Sequence, residues 1–374
     1  MTPQGFFAFI PNRLPPHVVY SAELVRLLST ADAALSELSG RGSVLPNPHI
    51  LIAPYVRREA VLSSRIEGTL ATLSDLLIDE LGAGAVAPRP TPNDVVEVRN
   101  YVVALEYGMA RLSTLPLSLR LVRELHDRLM RGVRGDHATP GEFRRSQNWI
   151  GPAGSTPANA PYVPPPVVEM NELLDDWERF LHQRDSFPDL IQAAIMHAQF
   201  EAIHSFLDGN GRVGRLLITL FLVERRRLQE PLLYLSAFIE AHRNDYYDLL
   251  QRVHTHGDWD GWLRYFLTGV VEIATEASDR AEALLAMRNR LRTDLIKKPR
   301  AAALVDHLFE NPYITVARAA RLLKVTNPTA RNAVEALVGH GVLVEQSGRL
   351  WGKVYLAKPI LDAIEGPTTA VPGA

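Results

Sequence analysis

The stretch that most constrains this chain runs from His204 to Arg215 and reads His-Ser-Phe-Leu-Asp-Gly-Asn-Gly-Arg-Val-Gly-Arg. Before it, from Ile191 to Ile203, apolar residues recur at helical spacing among Ala and Gln residues, which favour a helix. After it, the apolar run from Leu216 to Val223 suits the buried body of a second helix. The pattern therefore predicts two helices joined by a glycine-containing loop.

The residue types in this loop are those that phosphate chemistry uses. His204 can accept a proton near neutral pH. Asp208 offers the hard oxygen ligand that Mg²⁺ prefers. Gly209 and Gly211 allow backbone N–H groups to approach an anion closely, because neither residue carries a Cβ atom. We therefore expect an anion-binding loop with a proton acceptor beside it.

The predicted start of the second helix supports the same interpretation. Arg212 and Arg215 would share one helix face, and a helix N-terminus preceded by a loop attracts anions. The segment from Gly209 to Gly214 also matches the dinucleotide fingerprint G-x-G-x-x-G. That fingerprint requires a preceding strand, and the sequence predicts a helix there. A Walker-type loop is excluded because no Gly-Lys-Ser/Thr follows.

The twelve residues resemble the signature of the Fic (filamentation induced by cAMP) family, His-[Pro]-Phe-x-[Asp/Glu]-Gly-Asn-Gly-Arg-x-x-Arg, with Ser205 in place of the usual Pro. The resemblance extends over roughly residues 55 to 270 and implies transfer of AMP from ATP to a hydroxyl of a protein target. It makes His204 the base and Asp208 the Mg²⁺ ligand. The phosphate-binding residues that it implies are Gly209, Asn210, Gly211, Arg212 and Arg215.

A second segment resembles the inhibitory helix of this family. A helix is predicted from Pro54 or Tyr55 to about Glu67, with Ser63 and Glu67 on one face and Gly68 as a plausible C-cap. The pattern [Ser/Thr]-x-x-x-Glu-[Gly/Asn] implies that Glu67 pairs with Arg215 and blocks productive seating of ATP. Such a pair contributes about 1.5–3 kcal/mol, which favours the inhibited state roughly ten- to a hundredfold. The alternative is an ordinary capped surface helix.

Two further features fit the resemblance. Residues 147–163 place Trp149-Ile150 and Tyr162-Val163 on either side of a turn-rich centre, which predicts a β-hairpin-like flap. In the family such a flap pins the protein target by strand addition. Tyr246 and Tyr247 resemble a tyrosine pair that lies near the nucleoside in the family, although tyrosines at this spacing also suit a core.

The C-terminal part of the chain differs from the rest in its charge and in its predicted elements. Between Lys297 and Ile360 there are ten Lys or Arg and four Asp or Glu residues, whereas the whole chain has a net charge of −2. Three predicted helices and a two-stranded wing in this region resemble a winged helix-turn-helix module. Arg331, Arg349 and Lys353 could then contact DNA phosphates. The alternative is a module for dimerisation or target docking.

The sequence as a whole predicts a mainly α protein. It combines a Fic-type helical core and a short β-hairpin flap with a small C-terminal winged-helix domain. Cysteine is absent, and we expect no signal peptide and no membrane span, which suits a cytoplasmic protein. The expected segments are 1–115 (N-terminal helical region, inhibitory helix about 54–68), 116–275 (Fic core), 276–297 (linker helix), 298–362 (winged helix) and 363–374 (disordered tail).

Other functions stay open at this point. The main rival is a transcription regulator that binds DNA and whose Fic core acts as a ligand sensor. A nearer rival keeps the fold but uses a different donor, or removes AMP from a target. Self-modification and a homodimer are also compatible with the sequence.

Overall fold

The computed structural model describes residues 5–43, 49–82, 92–133, 139–152, 154–348 and 352–366. Helices dominate this part of the chain, which confirms the mainly α prediction. The helices are α1 Ala22–Ser43, α2 His49–Ile66, α3 Leu73–Asp79, α4 Pro92–Arg111, α5 Leu119–Met130, α6 Val167–Leu181, α7 Asp189–Ile203, α8 Asn210–Glu224, α9 Ser236–Ala241, α10 Arg243–His256, α11 Trp259–Asp294, α12 Pro299–Glu310, α13 Val316–Leu323, α14 Asn327–Gly339 and α15 Lys358–Glu365. The strands are β1 Tyr313–Thr315, β2 Val344–Glu345 and β3 Val354–Leu356.

The centre of the core is α7, whose residues are almost all buried. A helix that is buried on every side must be surrounded by other elements, and α7 packs against α6, α8, α10 and α11. Its backbone also accepts hydrogen bonds from buried indoles, with Trp177 donating to Met196 and Trp262 to Ala194. A helix rather than a strand therefore precedes the glycine loop, which confirms the predicted helix–loop–helix and excludes the dinucleotide fold.

Helix α2 carries Ser63 and ends just before Glu67. It packs against α4, α8 and α9, so that its C-terminal end faces the start of α8. The predicted start at Pro54 or Tyr55 was wrong, since the helix begins at His49 and includes Pro54. Proline is favoured in the first turn of a helix, and this preference misplaced the start.

The C-terminal region folds as α12–β1–α13–α14–β2–β3, followed by α15. Strand β3 lies in the middle of the sheet and pairs antiparallel with β1 and β2. Three helices and two later strands occur in this region, as the sequence predicted, whereas β1 was not predicted. Three residues cannot display the alternation that identifies a strand, so β1 depends on its partner β3.

This C-terminal region packs directly on α2 and α3. Asn311 donates a buried hydrogen bond to the carbonyl of Leu77 at 3.0 Å, and the Tyr313 hydroxyl donates to Ser74 Oγ at 3.0 Å. Helix α12 also packs along α2. The C-terminal region is therefore joined to the helix that carries Ser63.

Two predicted boundaries differ from the structure. The expected linker helix 276–297 is the second half of α11, which begins in the core at Trp259. The tail expected from residue 363 begins too early, because α15 continues to Glu365 and buries Ile364. Residues 367–374 lie outside the described residues. Among the described helices, none is long and apolar enough to cross a membrane.

Candidate active site

The loop between α7 and α8 is held by two left-handed residues. His204 follows α7 with φ 48° and ψ 59°, and Gly209 precedes α8 with φ 79° and ψ 5°. A Cβ atom on Gly209 would lie 2.8 Å from Met130 Sδ, so glycine is needed there for space as well as for conformation. Left-handed backbone at a histidine is uncommon and persists only where neighbours fix it.

Those neighbours come from the segment that leads into the flap and from the start of the flap itself. Arg144 is 1% exposed, and its Nε donates to the carbonyl of His204 at 3.0 Å. Asn148 Nδ2 donates to the carbonyl of Phe206 at 2.9 Å. Within the loop, Asn210 accepts from the N–H of Phe206 and donates to its carbonyl, both at 2.9 Å. The loop is therefore fixed by hydrogen bonds to its backbone on both sides.

Asn210, predicted to help orient the phosphate, has its side chain engaged within the protein. The residue is 2% exposed, and both polar atoms of its amide bond to Phe206. Its amide therefore closes the loop. Asn210 can still contribute its backbone N–H, which lies at the first position of α8.

His204 is held in its neutral form. Burial, together with the Arg144 charge, lowers the pKa of His204 to about 4 against the opposing effects of Glu67, the Glu201 backbone and Asp208. Its Nδ1 is buried and has no hydrogen-bond partner among the described residues. A neutral imidazole with an unused ring nitrogen can accept a proton. Phe206, fully buried, anchors the loop next to it.

Asp208 lies between His204 and the glycines. Its side chain is 51% exposed, and its Oδ1 accepts from the N–H of Gly209 at 2.6 Å. No cluster of three or more metal-ligating side chains occurs in the described part of the chain. One accessible carboxylate fits Mg²⁺ that takes its other ligands from substrate phosphates and water, which is how Mg²⁺ commonly binds with nucleotides.

Arg212 is buried beneath the loop, and not all of its hydrogen-bond donors have a partner. It is 3% exposed, its Nη1 lies 3.6 Å from Glu97 Oε2, and its Nη2 lies 3.7 Å from Asp208 Oδ1. Its Nε and Nη1 make no hydrogen bond within the described residues. A buried guanidinium with unused donors suits an anion that brings its own acceptors.

Arg215 binds both residues of the predicted inhibitory pattern. Its Nε donates to Ser63 Oγ at 2.9 Å, and its Nη2 donates to the Ser63 carbonyl at 2.9 Å and to Glu67 Oε1 at 2.7 Å. The same carboxylate rests on the first turn of α8, since a Cβ atom on Gly211 would lie 2.3 Å from Glu67 Oε1. Gly68, with φ 93°, turns the chain away immediately afterwards.

The Glu67–Arg215 pair is partly open to water. Burial raises the pKa of Glu67, but the charge and hydrogen bond of Arg215 outweigh this and leave the pKa below its usual value. The side chain of Glu67 is 35% exposed and that of Arg215 is 2% exposed. Because water screens a half-open pair, we expect its contribution at the lower end, about 1.5 kcal/mol.

Two family models match the chain: "Fic/DOC family N-terminal" over residues 25–110 and "Fic/DOC family" over residues 116–222. Together they cover just over half of its length. The chain belongs to the Fic family. The loop that carries His204 lies inside the second match, and α2 with Glu67 lies inside the first. The resemblance drawn from the loop is therefore confirmed.

Sequence similarity to named proteins supports the same family assignment. The chain is 32% identical over 151 residues to "Protein adenylyltransferase Fic" of Aedes aegypti, covering 40% of this chain and 27% of that protein. It is 30% identical over 172 residues to the protein of the same name from Drosophila grimshawi, covering 45% of this chain and 32% of that protein. The chain thus matches about a third or less of these relatives.

Solved structures show the same fold. A Fic family protein from Desulfovibrio desulfuricans G20 aligns with a TM-score of 0.60 at 20% identity, over 92% of this chain and 98% of that chain. A fragment of Fic-1 from C. elegans aligns with a TM-score of 0.52 at 21% identity, over 71% of this chain and 74% of that chain. The Fic fold therefore extends over most of the molecule.

The two tyrosines predicted for the nucleoside pocket separate in the structure. Tyr246 is 1% exposed, and its hydroxyl lies 3.0 Å from His197 Nε2, so it is a core residue and its prediction is corrected. Tyr247 is 45% exposed, and the Arg243 guanidinium lies 5.8 Å from its ring centre. Tyr247 alone stays a candidate for stacking on a nucleoside.

The predicted flap is shorter than a hairpin. Within its described residues, Ile150 and Tyr162 form one isolated antiparallel bridge, with hydrogen bonds of 2.9 and 3.3 Å. Ala153 lies outside the described residues. Trp149 and Ile150 are 41% and 43% exposed, and Phe9 donates its N–H to the Val163 carbonyl. The start of the flap thus exposes apolar side chains, and its end is bonded to the N-terminal segment.

Sequence reasoning missed several residues that support the Fic loop. Arg144 and Asn148 hold its carbonyls, Glu97 faces Arg212, and His126 lies under Phe206 and Gly209. One signal was available for His126, because it falls on the apolar face of α5 among leucines. A histidine in such a position must satisfy its ring nitrogens inside the protein.

The buried His197 makes stability sensitive to acid. Burial, with a contribution from the Arg215 charge, lowers the pKa of His197 to about 3, so the folded state takes up its proton only below the range of an unfolded histidine. The stability that depends on neutral His197 is complete above about pH 6.5 and is lost as the pH falls towards 3. We expect the wild type to lose about 3 kcal/mol more than His197→Gln between pH 6.5 and pH 4.

Urea unfolding followed at several pH values measures this difference. The comparison with His197→Gln is needed because buried Glu59 and Glu201 act in the opposite direction. Burial raises the pKa of each carboxyl to about 7, so each stabilises the fold as the pH falls. Parallel pH dependence in the two proteins would contradict the assignment to His197.

Proposed function

We propose that this chain transfers AMP from ATP to a hydroxyl side chain of a protein target. The observation that carries the proposal is the loop itself. A neutral His204, an accessible Asp208 and an incompletely satisfied Arg212 converge where α8 begins. The curated relatives named as protein adenylyltransferases support the same reaction.

The proposed reaction is a displacement at the α-phosphorus. The target hydroxyl oxygen forms the new bond to that phosphorus while its proton passes to His204. The bond from the α-phosphorus to the bridging oxygen breaks, and pyrophosphate leaves with the electron pair. Arg212 and the N–H groups at the start of α8 stabilise the charge on the phosphate oxygens. Mg²⁺, when held through Asp208, would offset charge on the phosphates.

We further propose that Glu67 holds the enzyme in an inhibited state. Its carboxylate bonds to Arg215 and lies against Gly211, where a phosphate oxygen would approach. A nucleotide and this carboxylate would then compete for the same donors. Arg215 would hold the terminal phosphate once Glu67 has moved away, while Ser63 keeps the guanidinium in place.

The position of the label in ATP tests the reaction. The Glu67→Gly form is incubated with cell lysate and ATP labelled at either the α- or the γ-phosphate. AMP transfer labels protein only from the α-position, and mass spectrometry identifies the modified residue. Labelling from the γ-position would indicate phosphorylation, and labelling from neither would favour another donor, AMP removal or a sensor role.

We propose a second, separate function for the C-terminal region as a winged helix-turn-helix that binds DNA. Arg321 on α13, Lys324 just after it, and Arg331 and Asn332 on α14 are exposed. The three cations form no ion pair with a described residue. Lys353 is less suitable than predicted, because it pairs with Glu345 at 3.3 Å. The wing residue Arg349 lies outside the described residues.

A DNA titration at several salt concentrations tests this function. If Arg331 contacts a phosphate, Arg331→Ala should weaken duplex binding and reduce the slope of log K against log salt by about 1. Arg26→Ala, an exposed arginine on α1, serves as the control and should leave the slope unchanged. Equal slopes in all three proteins, or no binding at all, would contradict DNA recognition by α14.

A further inference from the structure

His126 is a fully buried histidine that the proposed reaction does not use. Its Nδ1 accepts a hydrogen bond from the N–H of Gly141 at 2.9 Å, and its Nε2 lies 3.0 Å from the carbonyl oxygen of Asp208. A nitrogen that accepts cannot carry the proton, so the proton of the neutral ring lies on Nε2. The Nε2–H group therefore donates to the backbone carbonyl of Asp208.

The ring also contacts the loop on two further sides. It stacks on Phe206 with ring centres 3.7 Å apart and planes 6° from parallel. A Cβ atom on Gly209 would lie 3.5 Å from both Cδ2 and Nε2 of the ring. His126 thus stacks on the side chain of Phe206, bonds to the carbonyl of Asp208 and occupies the space beside Gly209 that a Cβ atom would contact.

We propose that His126 is a positioning residue that sets the Asp208 carboxylate for the divalent cation of the nucleotide, an inference that rests on the proposed function. The peptide unit between Asp208 and Gly209 links the two groups. Its carbonyl accepts from His126, and its N–H donates to Asp208 Oδ1 at 2.6 Å. When His126 fixes the plane of this peptide, it also fixes the direction of the N–H that holds the carboxylate.

The hydrogen bonds of the ring agree with this role, because Nδ1 accepts from Gly141 and Nε2 is left to donate to the Asp208 carbonyl. Residues that hydrogen-bond to a metal ligand orient that ligand without contacting the metal, and His126 would act on Asp208 in this way. Loss of such a residue commonly costs 10- to 100-fold in metal affinity.

Two substitutions separate the hydrogen bonds of the ring. His126→Gln places an amide N–H near the position of Nε2 and can still donate to Asp208. His126→Asn places an amide oxygen near Nδ1 and can still accept from Gly141, but it loses the donor. Both are made in the Glu67→Gly background, so that the inhibitory carboxylate does not compete with nucleotide.

Calorimetric binding of a non-hydrolysable ATP analogue, titrated over a range of Mg²⁺ concentrations, provides a readout besides activity. We expect His126→Asn to raise the Mg²⁺ concentration at half-saturation about tenfold, and His126→Gln to stay within about twofold of the parent. Binding of the analogue without Mg²⁺ should be equal in all three. His126→Phe, which keeps the stack on Phe206, should behave as the Asn form does and replaces it if that form does not fold.

The outcomes separate the two proposals. If the Glu67→Gly parent binds no nucleotide, the proposed function fails and this inference fails with it. If the parent binds nucleotide and all variants need the same Mg²⁺ concentration, only the role of His126 is overturned. A purely structural histidine predicts that both variants weaken binding equally, with and without Mg²⁺, and that result would also overturn the inference.

Discussion

Replacing His204 by Ala is expected to lower the rate of AMP transfer by about 10²–10⁴-fold, the usual contribution of a general base. The imidazole is neutral, and one of its ring nitrogens has no hydrogen-bond partner among the described residues. Ala leaves no acceptor for the hydroxyl proton. Initial rates of label incorporation from α-labelled ATP, measured in the Glu67→Gly background, give the effect directly.

The control for this prediction must separate chemistry from folding. His204→Ala should bind the ATP analogue as the parent does, because the Arg212 and Asp208 side chains remain in place. His182→Ala, an exposed histidine at the end of α6, should keep the parental rate. Label incorporation by His204→Ala at the parental rate would show that another group removes the proton.

The helices around the active loop could be predicted because their signals are local. Apolar spacing identified α7 and α8, and the glycine content identified the loop between them. The contact between Glu67 and Arg215 came from family resemblance, since no local rule links residues 148 positions apart. Spacing alone would have left α2 as a surface helix.

The supporting residues could not be predicted for the same reason. His126 bonds to a residue 82 positions away, and Arg144 bonds to one 60 positions away. Neither partner is marked by charge complementarity, because both are backbone carbonyls. Such contacts exist only once the helices have packed, so the sequence contains no short-range pattern for them.

The side chains of Asn210 and Tyr246 are both engaged inside the protein, and for the same physical reason. Both residue types are suited to ligands, and both are also suited to bonds inside a core. In this fold the Asn210 amide bonds to the Phe206 backbone, and the Tyr246 hydroxyl bonds to His197. Burial decides between the two uses, and burial depends on the whole fold rather than on the residue.

Replacing Glu67 by Gly is expected to raise the transfer rate about tenfold, because it removes a bond to Arg215 worth about 1.5 kcal/mol. The substitution also clears the space beside Gly211, where the carboxylate now lies. Arg215 should not swing away, because Ser63 still accepts two hydrogen bonds from it. The measurement is the rate together with the Kd for the ATP analogue, which should fall by a similar factor.

A matched variant distinguishes release of a carboxylate from a general loosening of α2. Arg65→Gly introduces the same residue two positions earlier in the same turn. The Arg65 side chain is 44% exposed, and its substitution removes a 3.8 Å ion pair with Glu240. If flexibility caused the activation, Arg65→Gly would reproduce it. If the charge of Glu67 causes inhibition, Arg65→Gly should keep the low transfer rate of the wild type. Glu67→Gln keeps an acceptor but not the charge, so its transfer rate should lie between those of the wild type and Glu67→Gly. Equal rates in wild type and Glu67→Gly, with both folded, would mean that the pair observed at 2.7 Å does not limit access of ATP.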